Sequence, residues 1–376
     1  MTASTAEMVK VKVVDCDVHL TPRSKDEIFE RMSEPWRSRL GRRRANASGK
    51  ATYATLTPGK RLDSYPPGGG PPGSEPEFVY EQLFESAGVD FAMTLPEGVR
   101  YTVDPEINAA WCHAFNTWLA ETWLDRWSAD RIFGAIIVAH DDPAGAAREI
   151  EYWAGHPRFK QVLITDVSER PLGYPMYEPM WEAAARHGLP VAMHFSGHGA
   201  AALGSTPVGR FQRQVDYHSI AYTLAYSAHL VSVLCGGVFD RHPDLRLVFV
   251  EGGYLWHRPL VARLARHWDL FAGEVVAKRS PIEYVRDHVR FTTQPIEEAD
   301  AAEDVARLME LADADDILMF SSDYPHFDFD HPKRALPHGL GKATVERIMA
   351  GNARELYDLP ETRSATAPGD LLADAG

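Results

Sequence analysis

The chain has 376 residues, 45% hydrophobic and 24% charged, an ordinary globular composition with length for one large α/β domain or two smaller ones. A formal net charge of −14 excludes the basic surface that nucleic-acid binding needs. No run of about 18 apolar residues appears, so no membrane span is expected. Three scattered cysteines, Cys16, Cys112 and Cys235, form no CxxC or paired framework. With no apolar signal core at the N-terminus, they fit a reducing cytoplasm.

In chain order, residues 11–19 read as a β-strand. Residues two apart in a strand share a face, so Asp17 and His19 converge at its end. The pair suits a divalent metal or is simply a polar strand end. A long insertion, 25–85, follows, with Gly and Pro clustered over 65–73. Further strands are expected at 89–95, 132–139, 161–165, 190–194, 245–251, 289–293 and 317–322, several of them continuously apolar, as parallel strands buried on both faces are. Helical patterns lie at 108–125, 143–155 (after Asp141 and Asp142, which can cap it), 180–187, 254–271, 300–311 and 344–357. Trp111, Trp118 and Trp123 read as core packing, and His242 and His257 as surface or capping residues. The segment 195–230 breaks the alternation and carries His198, Arg210, Arg213, Asp216, Tyr217 and His218. The tail 361–376 is small and polar, and is expected to be flexible.

Alternating strands and helices point to βαβ units, and eight of them to a (β/α)8 TIM barrel with long loop insertions after strands 1 and 5. An open doubly wound sheet is the alternative. No GxGxxG turn follows the first strand, so a dinucleotide site has no support.

Three more strand ends carry metal-type groups. His194 closes Val191-Ala-Met-His194, Glu251 closes Val248-Phe-Val-Glu251, and Asp323 follows Leu318-Met-Phe-Ser-Ser. In barrels the C-terminal strand ends build the active site, so these groups are expected to share one site with Asp17 and His19.

The strings Asp17-Val-His19, His194, Gly237-Val-Phe-Asp-Arg-His-Pro-Asp-Leu-Arg246, Glu251-Gly-Gly253, Ser321-Ser-Asp-Tyr-Pro-His326 and Asn352-Ala-Arg-Glu-Leu-Tyr357 resemble the amidohydrolase-related family. They are most similar to its branch of aminocarboxymuconate-semialdehyde decarboxylase and the non-oxidative aromatic-acid decarboxylases. The resemblance runs over 11–359 and implies a single metal-dependent barrel, a dimer or larger assembly, and Asp17, His19, His194 and Asp323 as ligands, with Asp323 also handling the proton. One position departs: characterised decarboxylases usually carry a catalytic His where this chain has Glu251.

Two imidazoles and two carboxylates suit zinc, with manganese as the second choice. Glu251 reads as a further ligand, a general acid or base, or a structural acceptor. Because an ionised Glu251 repels a substrate carboxylate, the reading leans to hydrolysis of an amide, imide or lactone in a small cyclic or carboxylated substrate. A non-oxidative carboxy-lyase acting on an aromatic or muconate-like acid is the alternative, and a non-catalytic barrel is the third reading. His198, Arg210, Arg213 and His218 are candidate substrate-binding residues, and His326 is expected to orient the Asp323 loop.

Overall fold

The computed structural model describes residues 8–43, 59–95, 104–125, 131–165, 168, 170–195, 214–268, 270–297 and 301–364. The first strand, β1 (Met8–Lys10), lies outside the main sheet. Eight parallel strands follow in sequence order: β2 (Val14–Val18), β3 (Phe91–Thr94), β4 (Ile132–Ile137), β5 (Phe159–Thr165), β6 (Val191–His194), β7 (Leu247–Val250), β8 (Val289–Thr292) and β9 (Leu318–Met319). The sheet closes on itself. Val18 bridges Tyr324 in parallel, Cys16 N donates to Phe320 O at 2.9 Å, and His19 N donates to Tyr324 O at 2.7 Å. This is the expected (β/α)8 barrel.

Every residue of β2, β3, β4 and β7 is buried, as apolar strands enclosed by the barrel interior and the helical layer must be. Helix starts follow their capping chemistry. Asp142 accepts from Gly145 N ahead of Pro143, Asp104 accepts from Ile107 N ahead of Pro105, and Ser280 and Glu283 form a capping box around Pro281. Trp111, Trp118 and Trp123 are buried in the core. Among the described residues no helix is long and apolar enough to cross a membrane.

The structure differs from the sequence expectation in four places. Residues 214–235 of the supposed long segment are a 22-residue helix; Tyr222, Tyr226, His229, Leu230, Val233 and Leu234 bury one face at helical spacing. The eighth barrel strand shrinks to two residues, because the backbone of 320–324 bonds elsewhere: Phe320 N to Ile348 O, Ser322 N to Asp15 Oδ1, and Tyr324 N to Ser322 Oγ. Residues Thr362–Ser364, expected in the free tail, form β10 and pair antiparallel with β1. His257, read as surface or cap, is 2% exposed, stacks on Phe291 at 4.8 Å and is pushed by burial down to about 4.

The insertion packs against the C-terminal end of β2, the first barrel strand. It contains the helices Lys25–Arg31 and Trp36–Arg43, a short turn Leu62–Ser64, and Pro76–Val79 running into the wide-turned helix Tyr80–Ser86. Gly73 sits at φ +77 against the His19 carbonyl, where an added Cβ would stand 2.5 Å from that oxygen. Its own carbonyl accepts from Thr21 N. Only glycine meets both demands.

Candidate metal centre

Five side chains meet at the C-terminal rim. Asp17 is on β2 and His19 just beyond it, His194 ends β6, Glu251 follows β7, and Asp323 lies four residues past β9. Asp17, His19, Glu251 and Asp323 are buried, and His194 is partly so. His19 Nε2 lies 3.1 Å from Asp17 Oδ1 and 2.9 Å from Asp323 Oδ1. His194 Nε2 lies 3.0 Å from Glu251 Oε2 and 3.9 Å from Asp17 Oδ2. The two rings stand edge to face, 5.0 Å apart.

The imidazoles are oriented from behind. His19 Nδ1 is 3.0 Å from the Leu95 carbonyl and His194 Nδ1 is 2.6 Å from that of Phe195. A carbonyl accepts only, so each Nδ1 carries a proton and each Nε2 is the ring atom left facing the site, where a proton or a cation can occupy its lone pair. This backing is typical of metal-binding histidines. His19 Nε2, His194 Nε2 and both Asp17 oxygens are buried, yet none has a partner meeting hydrogen-bond geometry. Donor atoms about 2.1 Å from one ion stand roughly 3.0–3.4 Å apart; the pairs at 2.9, 3.0 and 3.1 Å lie close to that spacing, and His194 Nε2 to Asp17 Oδ2, at 3.9 Å, is wider. Asp17, His19 and His194 can hold one ion together, as can Asp17, Glu251 and Asp323. The orphaned atoms and their chemistry therefore fit a divalent cation.

The electrostatics agree. Burial alone would lower the His19 imidazole, but Asp17 and Asp323 outweigh it and hold the ring well above its ordinary value. Burial likewise opposes, and Glu251 and Asp17 outweigh it, at His194, which is raised. Burial pushes the Asp17 carboxyl up against the pull of His19 and His194. Asp323 is held well below the usual carboxylate range, because His326 and His19 overcome its burial. A cage of carboxylates holding protons on its imidazoles is a cage that favours a cation.

Two of these positions are conformationally strained. Glu251 has φ 57° and Asp323 has φ 58°, a left-handed region that costs a non-glycine residue of order 1 kcal/mol or more and clusters at functional sites. His326 Nδ1 lies 2.5 Å from Asp323 Oδ1, consistent with the orienting contact expected of it.

Of the candidate substrate-binding residues, His198, Arg210 and Arg213 lie outside the described residues, as does the side chain of His218. Two contacts were not foreseen. Tyr222 OH donates to Glu251 Oε1 at 2.8 Å, with its ring 4.2 Å from that of Phe195; its four-residue spacing from Tyr226 was the available signal. Lys60 Nζ lies 2.8 Å from His326 Nε2, and no periodicity in the insertion marks it.

The amidohydrolase family matches residues 14–359. A gamma-resorcylate decarboxylase from Rhizobium sp. (strain MTP-10005) is 25% identical over 267 residues, 65% of this chain and 75% of that protein. An amidohydrolase from Mycobacterium avium subsp. paratuberculosis K-10 superposes with a TM-score of 0.65 at 23% identity, covering 94% of this chain and 99% of that one. A 5-carboxyvanillate decarboxylase from Novosphingobium aromaticivorans DSM 12444, complexed with manganese and 4-hydroxy-3-methoxy-5-nitrobenzoic acid, gives 0.64 at 18% identity, covering 93% and 96%. At such identities the solved structures establish a shared fold. The family match runs through every rim position described above, and this chain is an enzyme of the amidohydrolase family.

Proposed function

We propose that this enzyme is a divalent-metal-dependent carboxy-lyase that removes carbon dioxide, without oxidation, from an aromatic acid. The observation that carries this reading is the decarboxylase relative aligned over 65% of the chain, joined to a rim able to hold a cation. It displaces the lean toward hydrolysis drawn from Glu251 alone. We assign Asp17, His19, His194 and Asp323 as ligands, with Glu251 within reach of the same cation. Three carboxylates beside two imidazoles form a hard donor set that suits manganese, and the manganese in the 5-carboxyvanillate decarboxylase points the same way. Zinc is the second choice.

When bound, the cation supplies a Lewis acid that draws in an anionic substrate oxygen and offsets the repulsion of the surrounding carboxylates. The remaining work falls to side chains. Asp323, kept ionised by His326 and His19, is an acceptor. Glu251, whose Oε1 accepts from Tyr222 OH, presents Oε2 to the site and is the group we assign to pass a proton to the ring carbon. The bond from ring carbon to carboxylate breaks, its electron pair stays on the ring, carbon dioxide leaves, and the ring carbon takes the proton. One carboxylate and one proton give one arene and one carbon dioxide.

Manganese-loaded protein supplied with hydroxylated benzoates in deuterium oxide tests this. The expected result is carbon dioxide release with one deuterium at the vacated ring carbon. Hydrolysis of amide or lactone substrates, with oxygen-18 entering product from labelled water and no carbon dioxide released, overturns it.

A further inference from the structure

We propose that Lys60 is a positioning residue of the metal centre, acting through His326 on Asp323. The inference rests on Asp323 being a ligand. A lysine ammonium has donors and no acceptor, so His326 Nε2, 2.8 Å from Lys60 Nζ, is the accepting nitrogen. The ring proton then sits on Nδ1 and is donated to Asp323 Oδ1 at 2.5 Å. The lysine thus selects the tautomer that bonds the carboxylate. In the other tautomer His326 turns a lone pair toward Asp323, and the two acceptors repel. The choice matters here because Asp323 sits on a left-handed backbone at φ 58°, so its carboxylate direction depends on outside contacts.

Lys60 reaches this point because the insertion is fastened to the loop after β9. Lys60 and His326 form an antiparallel bridge, Arg61 N donates to Pro325 O at 3.0 Å, and the Arg61 guanidinium lies 4.4 Å over the Phe329 ring. Tyr324 OH donates to Gln82 Oε1 at 2.8 Å, and Gln82 Nε2 donates back to Asp63 O at 2.6 Å. Through these contacts the insertion reaches the side chain that bonds Asp323. Side chains that orient ligands typically change metal affinity by about 10- to 100-fold when removed, and one contact further out is expected to have a smaller effect.

Manganese affinity of the metal-stripped full chain, measured by competition with a chelating dye, tests this without a known substrate. Lys60→Met is expected to weaken affinity about three- to tenfold, and His326→Phe more. The double variant is expected to be no weaker than His326→Phe alone, since both act through one contact. Gln82→Leu, which removes a neighbouring tether, is expected to bind as wild type. Unchanged affinity in Lys60→Met, additive losses in the double variant, or an equal loss in Gln82→Leu overturns the proposal. If His326→Phe does not fold, His326→Gln takes its place in the cycle. Wild-type protein that binds no manganese defeats the ligand reading itself; wild-type binding with an unaffected Lys60→Met defeats only the role of Lys60.

Discussion

At the scale of single residues, the site is defined by nitrogen and oxygen donor atoms that face one another. His19 and His194 are backed by carbonyls and Asp17 is fully buried, yet their inward atoms go unpaired. The carboxylates hold both imidazoles above their ordinary value of 6.5, so in the metal-free protein a proton competes with the cation at each Nε2. The sign follows. Below the raised values the imidazoles are protonated and affinity is poor; as pH rises through them the protons leave and affinity climbs. Manganese binding is expected to strengthen at least about tenfold per unit over that range, with proton release visible by calorimetry in buffers of different ionisation enthalpy. Affinity that does not rise as pH is taken above 6.5 contradicts this. That these side chains meet on one rim was legible in the sequence because each polar residue ends an apolar strand. Tyr222 and Lys60 were not, because helix and insertion paths are set by tertiary packing and no strand period fixes them.

At the scale of elements, the stretch after β7 shows why two glycines follow Glu251. A Cβ on Gly252 would lie 2.3 Å from the Tyr226 ring, whose hydroxyl donates to the Val250 carbonyl at 2.7 Å. Gly253 has φ +64, and a Cβ there would meet Glu297 Oε1 at 2.5 Å. The Glu297 carboxylate accepts from Tyr254 N and Leu255 N, fixing the turn beyond the strained Glu251. Tyr226 is fully buried and cannot yield cheaply. Gly252→Ala is expected to cost about 1–3 kcal/mol of stability by overpacking, read as a lower urea midpoint with an unchanged slope; an unshifted midpoint contradicts this close packing. The Glu-Gly-Gly string was visible as a motif, but its packing partner was hidden in the helix Gln214–Cys235. Polar residues such as Asp216, Ser219 and Ser232 interrupt that helix's sequence, and its buried face emerges only when read at helical spacing. The last strand misled in the opposite direction: 320–322 look like strand, yet they bond to Asp15, Thr293 and the chain near Ile348.

For the molecule as a whole, barrel closure brings β2 and the loop after β9 together at one rim. Ser322 N reaches Asp15 Oδ1 across 307 positions of sequence, which sets Asp323 beside His19. The strand alternation announced a barrel, whereas the seam between β2 and the loop after β9 is a long-range product of closure that no local pattern encodes. The insertion likewise joins the rim through contacts with that loop. Anomalous diffraction at the manganese absorption edge from crystals of the manganese-loaded full-length enzyme tests the whole construction most directly. The predicted result is one strong peak per chain, about 2.2 Å from carboxylate oxygens of Asp17 and Asp323 and from Nε2 of His19 and His194. A fully loaded crystal with no peak among these four side chains, or with its peak elsewhere on the barrel, contradicts it.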